Sequence, residues 1–249
     1  MGLHLFRWTG AFLFFISLAY FLFTYVTRFG VPSTGSDAAS ATMWNAVLFS
    51  AFALHHSVFA RERIRRAVAQ TVPASLERSV YVWIASLLFI LVCAWWRPVP
   101  GVAWQADGVA LWLLRALQAV GVGVTLTSAT VLDIRDLAGL RPQGPGHSSM
   151  PLGPEAQAPG PVFKTTGPYG WVRHPIYSGW FLIVLAVSPM TLTRLVFAVL
   201  SCAYLLIAIP LEERSMRASS HGVYDRYMAR VRWRLLPGVF GWWLVVGSW

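Results

Sequence analysis

Long runs of apolar residues, separated by short charged segments, dominate this sequence. Hydrophobic residues make up 56% of its 249 residues and charged residues only 12%, about half the share found in soluble domains. Apolar runs of about 18 or more residues are long enough to cross a bilayer as α-helices. The sequence therefore predicts an all-α protein, a polytopic transmembrane helical bundle.

Six segments are candidates for membrane spans, roughly residues 8–27, 42–60, 79–96, 109–132, 176–188 and 195–211. The fifth is short: about 13 residues at about 1.5 Å each give ~20 Å, less than the ~30 Å of hydrocarbon. We therefore expect about six spans, or five spans plus a short hairpin. The first apolar run is longer than the core of a cleaved signal peptide.

The basic residues are distributed unevenly between alternate loops. The chain has 20 Lys and Arg against 10 Asp and Glu, and 16 of these bases flank the spans on one side, whereas Arg28, Arg97 and Arg194 occupy the opposite loops. This asymmetry follows the positive-inside rule. We expect an integral protein of the bacterial inner membrane with both termini in the cytoplasm. The positive charge then serves topology and anionic lipid head groups, so membrane lipids are the expected partners and nucleic acid is not.

We expect a single membrane-embedded domain over residues 1–249. Its parts are a four-span region (1–140), a flexible Pro/Gly-rich cytoplasmic loop (141–162), a ligand-binding hairpin with a C-terminal helix (163–237) and an apolar tail (238–249). Two sets of residues recur at helical spacing on opposite faces of that helix: Tyr224, Met228, Val231 and Leu235 on one, Arg226, Arg230 and Arg234 on the other. This pattern predicts a short amphipathic helix lying at the membrane interface.

Arg173-His174-Pro175 begins the fifth predicted span. Proline pushes the preceding residue toward extended geometry and suits the first turn of a helix, so the helix is expected to start at Pro175 with His174 just outside it. A helix N-terminus beside an arginine favours a carboxylate or phosphate. The rings of Tyr169, Trp171 and Tyr177 can accept a cation.

Glu212 and Glu213 directly follow the last predicted span. If the apolar segment before them crosses the membrane and returns, this acidic pair meets Arg173 and His174 at one face, since packed helices lie about 8–10 Å apart. Adjacent carboxylates can bind ribose hydroxyls or attract a positive centre. A ligand with a carboxylate, a ribose and a sulfonium suits all these groups, and S-adenosylmethionine is such a ligand. Taken singly, Arg173 is explained by membrane topology and the acidic pair by ion pairing with nearby arginines. The prediction of a ligand site therefore rests on the combination of these residues.

Other candidate residues are weaker. His55 and His56 are adjacent and do not share a helix face, and Cys93 and Cys202 lie within spans away from other ligand residues, so we expect no metal site and no disulfide framework. A substrate-side role for the histidine pair stays open. The Gly121-x-Gly123 pair in the fourth span predicts close helix packing.

Three motifs resemble those of integral-membrane methyltransferases, a family that includes isoprenylcysteine carboxyl methyltransferases and phospholipid N-methyltransferases. They are Gly167-Pro-Tyr-Gly-Trp-Val-Arg-His-Pro-Ile-Tyr-Ser-Gly179, Leu211-Glu-Glu-Arg214 and Tyr224-Asp-Arg-Tyr-Met-Ala-Arg-Val231. Further runs are similar to the bacterial methanethiol S-methyltransferase group: His56-Ser-Val-Phe-Ala-Arg61, Glu77-Arg-Ser-Val-Tyr81 and Asp136-Leu-Ala-Gly-Leu-Arg141.

The resemblance implies methyl transfer from S-adenosylmethionine to a small thiol such as methanethiol, giving dimethyl sulfide. It also implies a cofactor pocket formed by Tyr169, Arg173, His174, Pro175, Tyr177, Gly179, Glu212, Glu213, Tyr224 and Tyr227. Of these, Arg173, His174 and Glu213 are the catalytic candidates, while His174, Glu212 and Glu213 are alternative acceptors of the thiol proton.

Asp133-Ile-Arg135 departs from the pattern of the methanethiol group, which leaves the methyl acceptor open. An isoprenylcysteine carboxylate and a lipid amine are the alternative acceptors. Two other classes of membrane protein stay open as well: non-catalytic accessory proteins of respiration or denitrification, and sterol-reductase-like enzymes that use NADPH.

Overall fold

The protein is described by a computed structural model that covers residues 2–35, 37–59, 73–132, 134–140 and 163–238. Eight α-helices occur in these residues: α1 (Gly2–Thr27), α2 (Ala38–Phe59), α3 (Ala74–Trp95), α4 (Gly108–Leu132), α5 (Ile134–Leu137), α6 (Pro175–Leu185), α7 (Leu192–Ser219) and α8 (Val223–Arg230). A 3-10 turn spans Gly167–Gly170. Two short strands, β1 (Val102–Trp104) and β2 (Met190–Thr191), pair antiparallel. The predicted loop 141–162 and almost all of the predicted tail lie outside the described residues.

The predicted helical class is confirmed, but the count of six spans is not. By length and composition, four helices of the described chain can cross a membrane: α1, Leu76–Trp95 of α3, α4 and α7. The second predicted span forms α2, which is not among the four, and α6 has only 11 residues. Helix α7 continues through Pro210 to Ser219, so the acidic pair lies on a helix and does not follow one.

A first compact unit contains the described residues of Met1–Asp107, Ile134–Pro151 and Ser188–Tyr204. Its core is aromatic: the ring of Phe197 is fully buried, with its centroid 5.1 Å from that of Phe21 and 5.3 Å from that of Trp96. The buried amide of Asn45 both donates to the carbonyl of Arg97 and accepts from its N–H, each at 2.8 Å. This side chain thereby satisfies backbone groups just beyond the end of α3.

Arg194, in the first turn of α7, closes the C-terminal end of α1 within this unit. Its side chain donates to the carbonyls of Tyr25 and Val26 at 3.0 Å each and to that of Pro189 at 2.6 Å. The residue is only 6% exposed. The last carbonyls of a helix lack intrahelical partners and carry partial negative charge, so this buried cation satisfies groups that would otherwise be orphaned.

We therefore expect Arg194→Met to destabilise the protein, because the carbonyls of Tyr25, Val26 and Pro189 lose a charged donor. Leaving one buried acceptor unsatisfied costs about 1–3 kcal/mol. The thermal unfolding midpoint in detergent should fall clearly. Arg28→Met is the matched control, since Arg28 is exposed near the same end of α1. Equal midpoints for the two variants would contradict this account of Arg194.

A second compact unit contains the described residues of Gly108–Asp133, Leu152–Val187 and Leu205–Trp249. Helices α4 and α6 cross there at two glycines, Gly121 and Gly179. The predicted close packing is thus confirmed at Gly121 but is wrong for Gly123, where nothing lies within 4 Å of the position of a Cβ atom. A Cβ atom on Gly179 would lie 2.6 Å from the carbonyl oxygen of Gly121, and one on Gly121 would lie 2.8 Å from the carbonyl oxygen of Gly179. The two backbones are in direct contact, and this contact holds α6, whose N-cap is His174.

The C-terminal helix α8 is shorter than its periodicity predicts. It ends at Arg230, and residues 231–235, the C-terminal segment, run alongside the start of α6. The backbone N–H groups of Arg173 and His174 donate to the carbonyls of Trp233 and Arg234, both at 2.9 Å. The prediction that Arg234 lies on this helix, on the face opposite Tyr224, is therefore wrong, because the helix ends at Arg230 and tertiary hydrogen bonds hold the residues after it.

Candidate active site

The two ends of the predicted hairpin meet within the second unit. Pro175 is the first residue of α6 and His174 is its N-cap. The Nε atom of Arg173 donates to Oε1 of Glu213 at 2.7 Å, across 40 positions of sequence. His174 is 2% exposed and Glu213 is 4% exposed. The expected encounter of the Arg-His-Pro and Glu-Glu motifs is thus confirmed, and it takes place in a buried environment.

Glu213 is the centre of this cluster. Its Oε1 atom accepts from Arg173 and lies 3.2 Å from Nε2 of His174. Its Oε2 atom accepts from Arg234, with Nε at 3.0 Å and Nη2 at 2.9 Å. Charge-assisted hydrogen bonds of this kind are among the strongest in proteins. One carboxylate therefore holds α6, α7 and the C-terminal segment together.

Arg173 is also engaged by the backbone. Its Nη1 atom donates to the carbonyl of Val231 at 2.9 Å and to that of Arg232 at 2.8 Å. With Glu213 as its counter-ion, the side chain is only 8% exposed. These contacts show that Arg173 holds the C-terminal segment in place. That it also binds an anion stays a prediction.

Glu212 and His174 form a second, incompletely bonded pair. The hydroxyl of Tyr177 donates to Oε1 of Glu212 at 2.7 Å, and the ring of Tyr177 stacks on the imidazole, with centroids 5.5 Å apart. The Nδ1 atom of His174 lies 3.9 Å from Oε2 of Glu212, and neither atom has a hydrogen-bond partner among the described residues. Since Nε2 faces a carboxylate, a neutral imidazole places its proton there and leaves Nδ1 as an acceptor. Nδ1 of His174 and Oε2 of Glu212 are then two facing acceptors, and a single added proton would allow a hydrogen bond between them.

A pocket opens next to this cluster. It encloses about 350 Å³ of space, open solvent at its mouth included. Its lining combines aromatic rings with basic groups: Leu132, Phe163, Lys164, Tyr169, Arg173, His174, Met216, Tyr224 and Tyr227. The ring of Phe163 lies 4.9 Å from that of Tyr224 and 5.8 Å from that of Tyr227. Part of the pocket lining is therefore a cluster of three aromatic rings, Phe163, Tyr224 and Tyr227.

The pocket tyrosines stay protonated. Burial raises the pKa of Tyr169, Tyr224 and Tyr227 well above the usual range, so their hydroxyls do not act as bases near neutral pH. The hydroxyl of Tyr227 donates to the carbonyl of Tyr169 at 3.0 Å. The hydroxyl of Tyr169 is buried without a hydrogen-bond partner in the described chain, which leaves it available to a ligand.

The ten predicted site residues divide into three groups. Five line the pocket: Tyr169, Arg173, His174, Tyr224 and Tyr227. Tyr177, Glu212 and Glu213 contact Arg173 or His174 without lining it. The remaining two are structural in position, since Pro175 begins α6 and Gly179 packs against α4.

Sequence reasoning missed four lining residues and one member of the buried cluster: Leu132, Phe163, Lys164, Met216 and Arg234. Phe163-Lys164 directly follows the Pro/Gly-rich loop, where no periodicity marks a contact. Met216 lies one helical turn beyond Glu212 on α7, so extending the helix past the acidic pair would have found it.

A second polar cluster lies in the first unit, where two of the sequence runs noted above meet. The hydroxyl of Tyr81 is hydrogen-bonded to Nδ1 of His56 at 2.5 Å, and the imidazole of His55 stacks on the ring of Tyr81 at 5.8 Å. The hydroxyl of Ser57 donates to that of Tyr204 at 3.4 Å. A substrate-side role for these residues stays a prediction. Asp133 lies outside the described residues.

The chain is similar to several known proteins. The isoprenylcysteine carboxyl methyltransferase family matches residues 156–218. Methanethiol S-methyltransferase 2 of Bradyrhizobium diazoefficiens is 35% identical over 205 residues, which are 82% of this chain and 76% of that protein. The methanethiol S-methyltransferase of Mycobacterium tuberculosis is 35% identical over 216 residues, 83% of this chain and 84% of that protein. Nurim from Sus scrofa is 26% identical over 181 residues, 70% of this chain and 67% of that protein. No solved structure matches the chain.

Four apolar helices, together with these similarities, make the protein an integral membrane methyltransferase. Within that class, the chain belongs to the family that contains the bacterial methanethiol S-methyltransferases. The resemblance stated from the sequence motifs is confirmed.

Proposed function

We propose that this protein transfers the methyl group of S-adenosylmethionine to a small thiol such as methanethiol, giving dimethyl sulfide. The observation that carries the proposal is the buried Arg–His–Glu–Glu cluster beside an aromatic pocket, in a chain 35% identical to proteins named methanethiol S-methyltransferases. The cluster lies within the residues that the isoprenylcysteine carboxyl methyltransferase family matches, apart from Arg234.

The pocket suits the methyl donor in charge and polarity. When bound, the donor supplies an electrophilic methyl group on a sulfonium. The rings of Phe163, Tyr224 and Tyr227 offer faces that attract a positive centre. The hydroxyl of Tyr169 adds a polar partner, as does Nδ1 of His174, since neither atom has a hydrogen-bond partner among the described residues.

The same cluster indicates which residue accepts the thiol proton. A thiolate is a far better nucleophile than a thiol, so the acceptor must lose its proton as its sulfur bonds to the methyl carbon. The bond between that carbon and the sulfonium sulfur breaks in the same step, and S-adenosylhomocysteine leaves. Glu213 is a poor base because both of its oxygens already accept from cations. His174 takes the proton at Nδ1 and becomes an imidazolium, which donates to Glu212 through Nδ1 and to Glu213 through Nε2.

The membrane placement completes the proposal. The protein lies in the bacterial inner membrane with both termini and the pocket on the cytoplasmic side, six segments cross or enter the bilayer, and α8 lies along the interface among the lipid head groups. The charge asymmetry of the loops supports this orientation. A fluorescent protein fused to the C-terminus should fold and fluoresce in cells, and a dark fusion that is nevertheless produced in full would count against it.

The proposed reaction is tested with detergent-purified protein, S-adenosylmethionine and a panel of acceptors. We expect dimethyl sulfide in the headspace with methanethiol, and no methylation of an isoprenylcysteine analogue or of phosphatidylethanolamine. Methylation of either of these in place of methanethiol would reassign the acceptor. No product with any acceptor, from protein that remains folded, would support the non-catalytic alternative.

A further inference from the structure

The two arginines of the buried cluster are bonded to one carboxylate. Arg173 and Arg234 both donate to Glu213. Burial raises the pKa of the neighbouring carboxyl of Glu212, which lies beside the imidazole of His174. An anionic group that enters the pocket would therefore have to compete with Glu213 for either arginine.

Lys164 is the cation of the pocket lining that has no carboxylate partner among the described residues. Its side chain is exposed, and its Nζ atom donates to the carbonyl of Val131 in the last turn of α4. An ammonium carries three donors, so two remain after this contact. The carbonyl anchors the ammonium at the pocket without neutralising its charge.

Arg173 is less well suited to the same task. Its Nε and Nη1 atoms are occupied by Glu213 and by two backbone carbonyls. Its side chain is 8% exposed, so an incoming carboxylate would compete with the counter-ion already in place. Freeing Arg173 would also disrupt the contacts that hold the C-terminal segment.

We propose that Lys164 binds the carboxylate at the amino-acid end of the methyl donor. This inference rests on the proposed function, because it assumes that the pocket holds S-adenosylmethionine. It separates two tasks that one arginine would otherwise share: Lys164 binds the anionic end of the ligand, while Arg173 maintains the site.

The test compares S-adenosylmethionine with its decarboxylated analogue by isothermal titration calorimetry in detergent. Lys164→Gln should weaken binding of S-adenosylmethionine on the order of tenfold or more, as expected when a charged hydrogen bond is lost. The decarboxylated analogue should bind the wild type and Lys164→Gln equally, because it offers no carboxylate. Lys164→Arg should keep most of the wild-type affinity. Arg217→Gln, which removes an exposed cation that does not line the pocket, should bind both ligands as the wild type does.

Two outcomes would overturn the inference alone: unchanged affinity of Lys164→Gln for S-adenosylmethionine, or an equal loss of affinity for both ligands. Failure of the wild type to bind S-adenosylmethionine at all would overturn the proposed function, and the inference with it. The thermal unfolding midpoint of each variant is measured alongside, and since Lys164 is exposed we expect it to stay at the wild-type value.

Discussion

Replacing Glu213 with glutamine should abolish methyl transfer and strongly destabilise the second unit. The glutamine has the same size but no charge, so Arg173 and Arg234 remain buried without a counter-ion. Removing one partner of a buried ion pair typically costs about 3–5 kcal/mol. The same change weakens the bond from Arg234 that holds the C-terminal segment. It also weakens the hydrogen bond that fixes the proton of His174 on Nε2.

Asp225→Asn is the matched control for that experiment. Asp225 pairs with Arg217 at 2.9 Å, but the two side chains are 45% and 57% exposed, and such surface pairs contribute only about 0–1 kcal/mol. Thermal unfolding in detergent and the rate of dimethyl sulfide release are measured for both variants. An active Glu213→Gln with a midpoint equal to that of Asp225→Asn would show that the cluster has neither of the roles assigned to it.

The second large effect is expected for Gly179→Ala. The added methyl group would lie 2.2 Å from Oγ1 of Thr125 and 2.6 Å from the carbonyl oxygen of Gly121. The threonine hydroxyl can rotate away, but the backbone carbonyl cannot, so α4 and α6 must separate. Overpacking of this kind costs about 1–3 kcal/mol. Because His174 caps the start of α6, we also expect the rate of methyl transfer to fall at least tenfold.

Gly123→Ala provides the comparison on the same helix. Nothing lies within 4 Å of the position that its Cβ would occupy, and alanine is intrinsically better than glycine in a helix by about 1 kcal/mol. This variant should be as stable as the wild type or slightly more so, with unchanged activity. If Gly179→Ala behaved in the same way, the close approach of α4 and α6 would not be needed for the site.

The parts of the site that follow from local rules were predictable. Proline fixed the start of α6 and placed His174 just before it, which the structure confirms. The apolar segment between Arg173 and Glu213 is long enough to double back, which predicted the contact between these two residues that the structure shows. The small residue at Gly121 indicated close packing, although the sequence alone did not identify Gly179 as its partner and assigned that glycine to the pocket.

The remaining features depend on long-range contacts. Helical periodicity assigned Val231 and Arg234 to α8, but backbone hydrogen bonds to Arg173 and His174 take residues 231–235 out of the helix. Periodicity describes a helix in isolation and cannot show where another segment ends it. Lys164 was missed for a similar reason, because it adjoins the irregular loop and enters the pocket through a contact with α4, 33 positions away.

The most direct measurement uses S-adenosylmethionine labelled with a trideuterated methyl group. Detergent-purified wild type, supplied with this donor and unlabelled methanethiol, is predicted to release dimethyl sulfide in which one of the two methyl groups carries the label, and Glu213→Gln is predicted to release none. Unlabelled product, or no product from folded wild-type protein, would contradict the account.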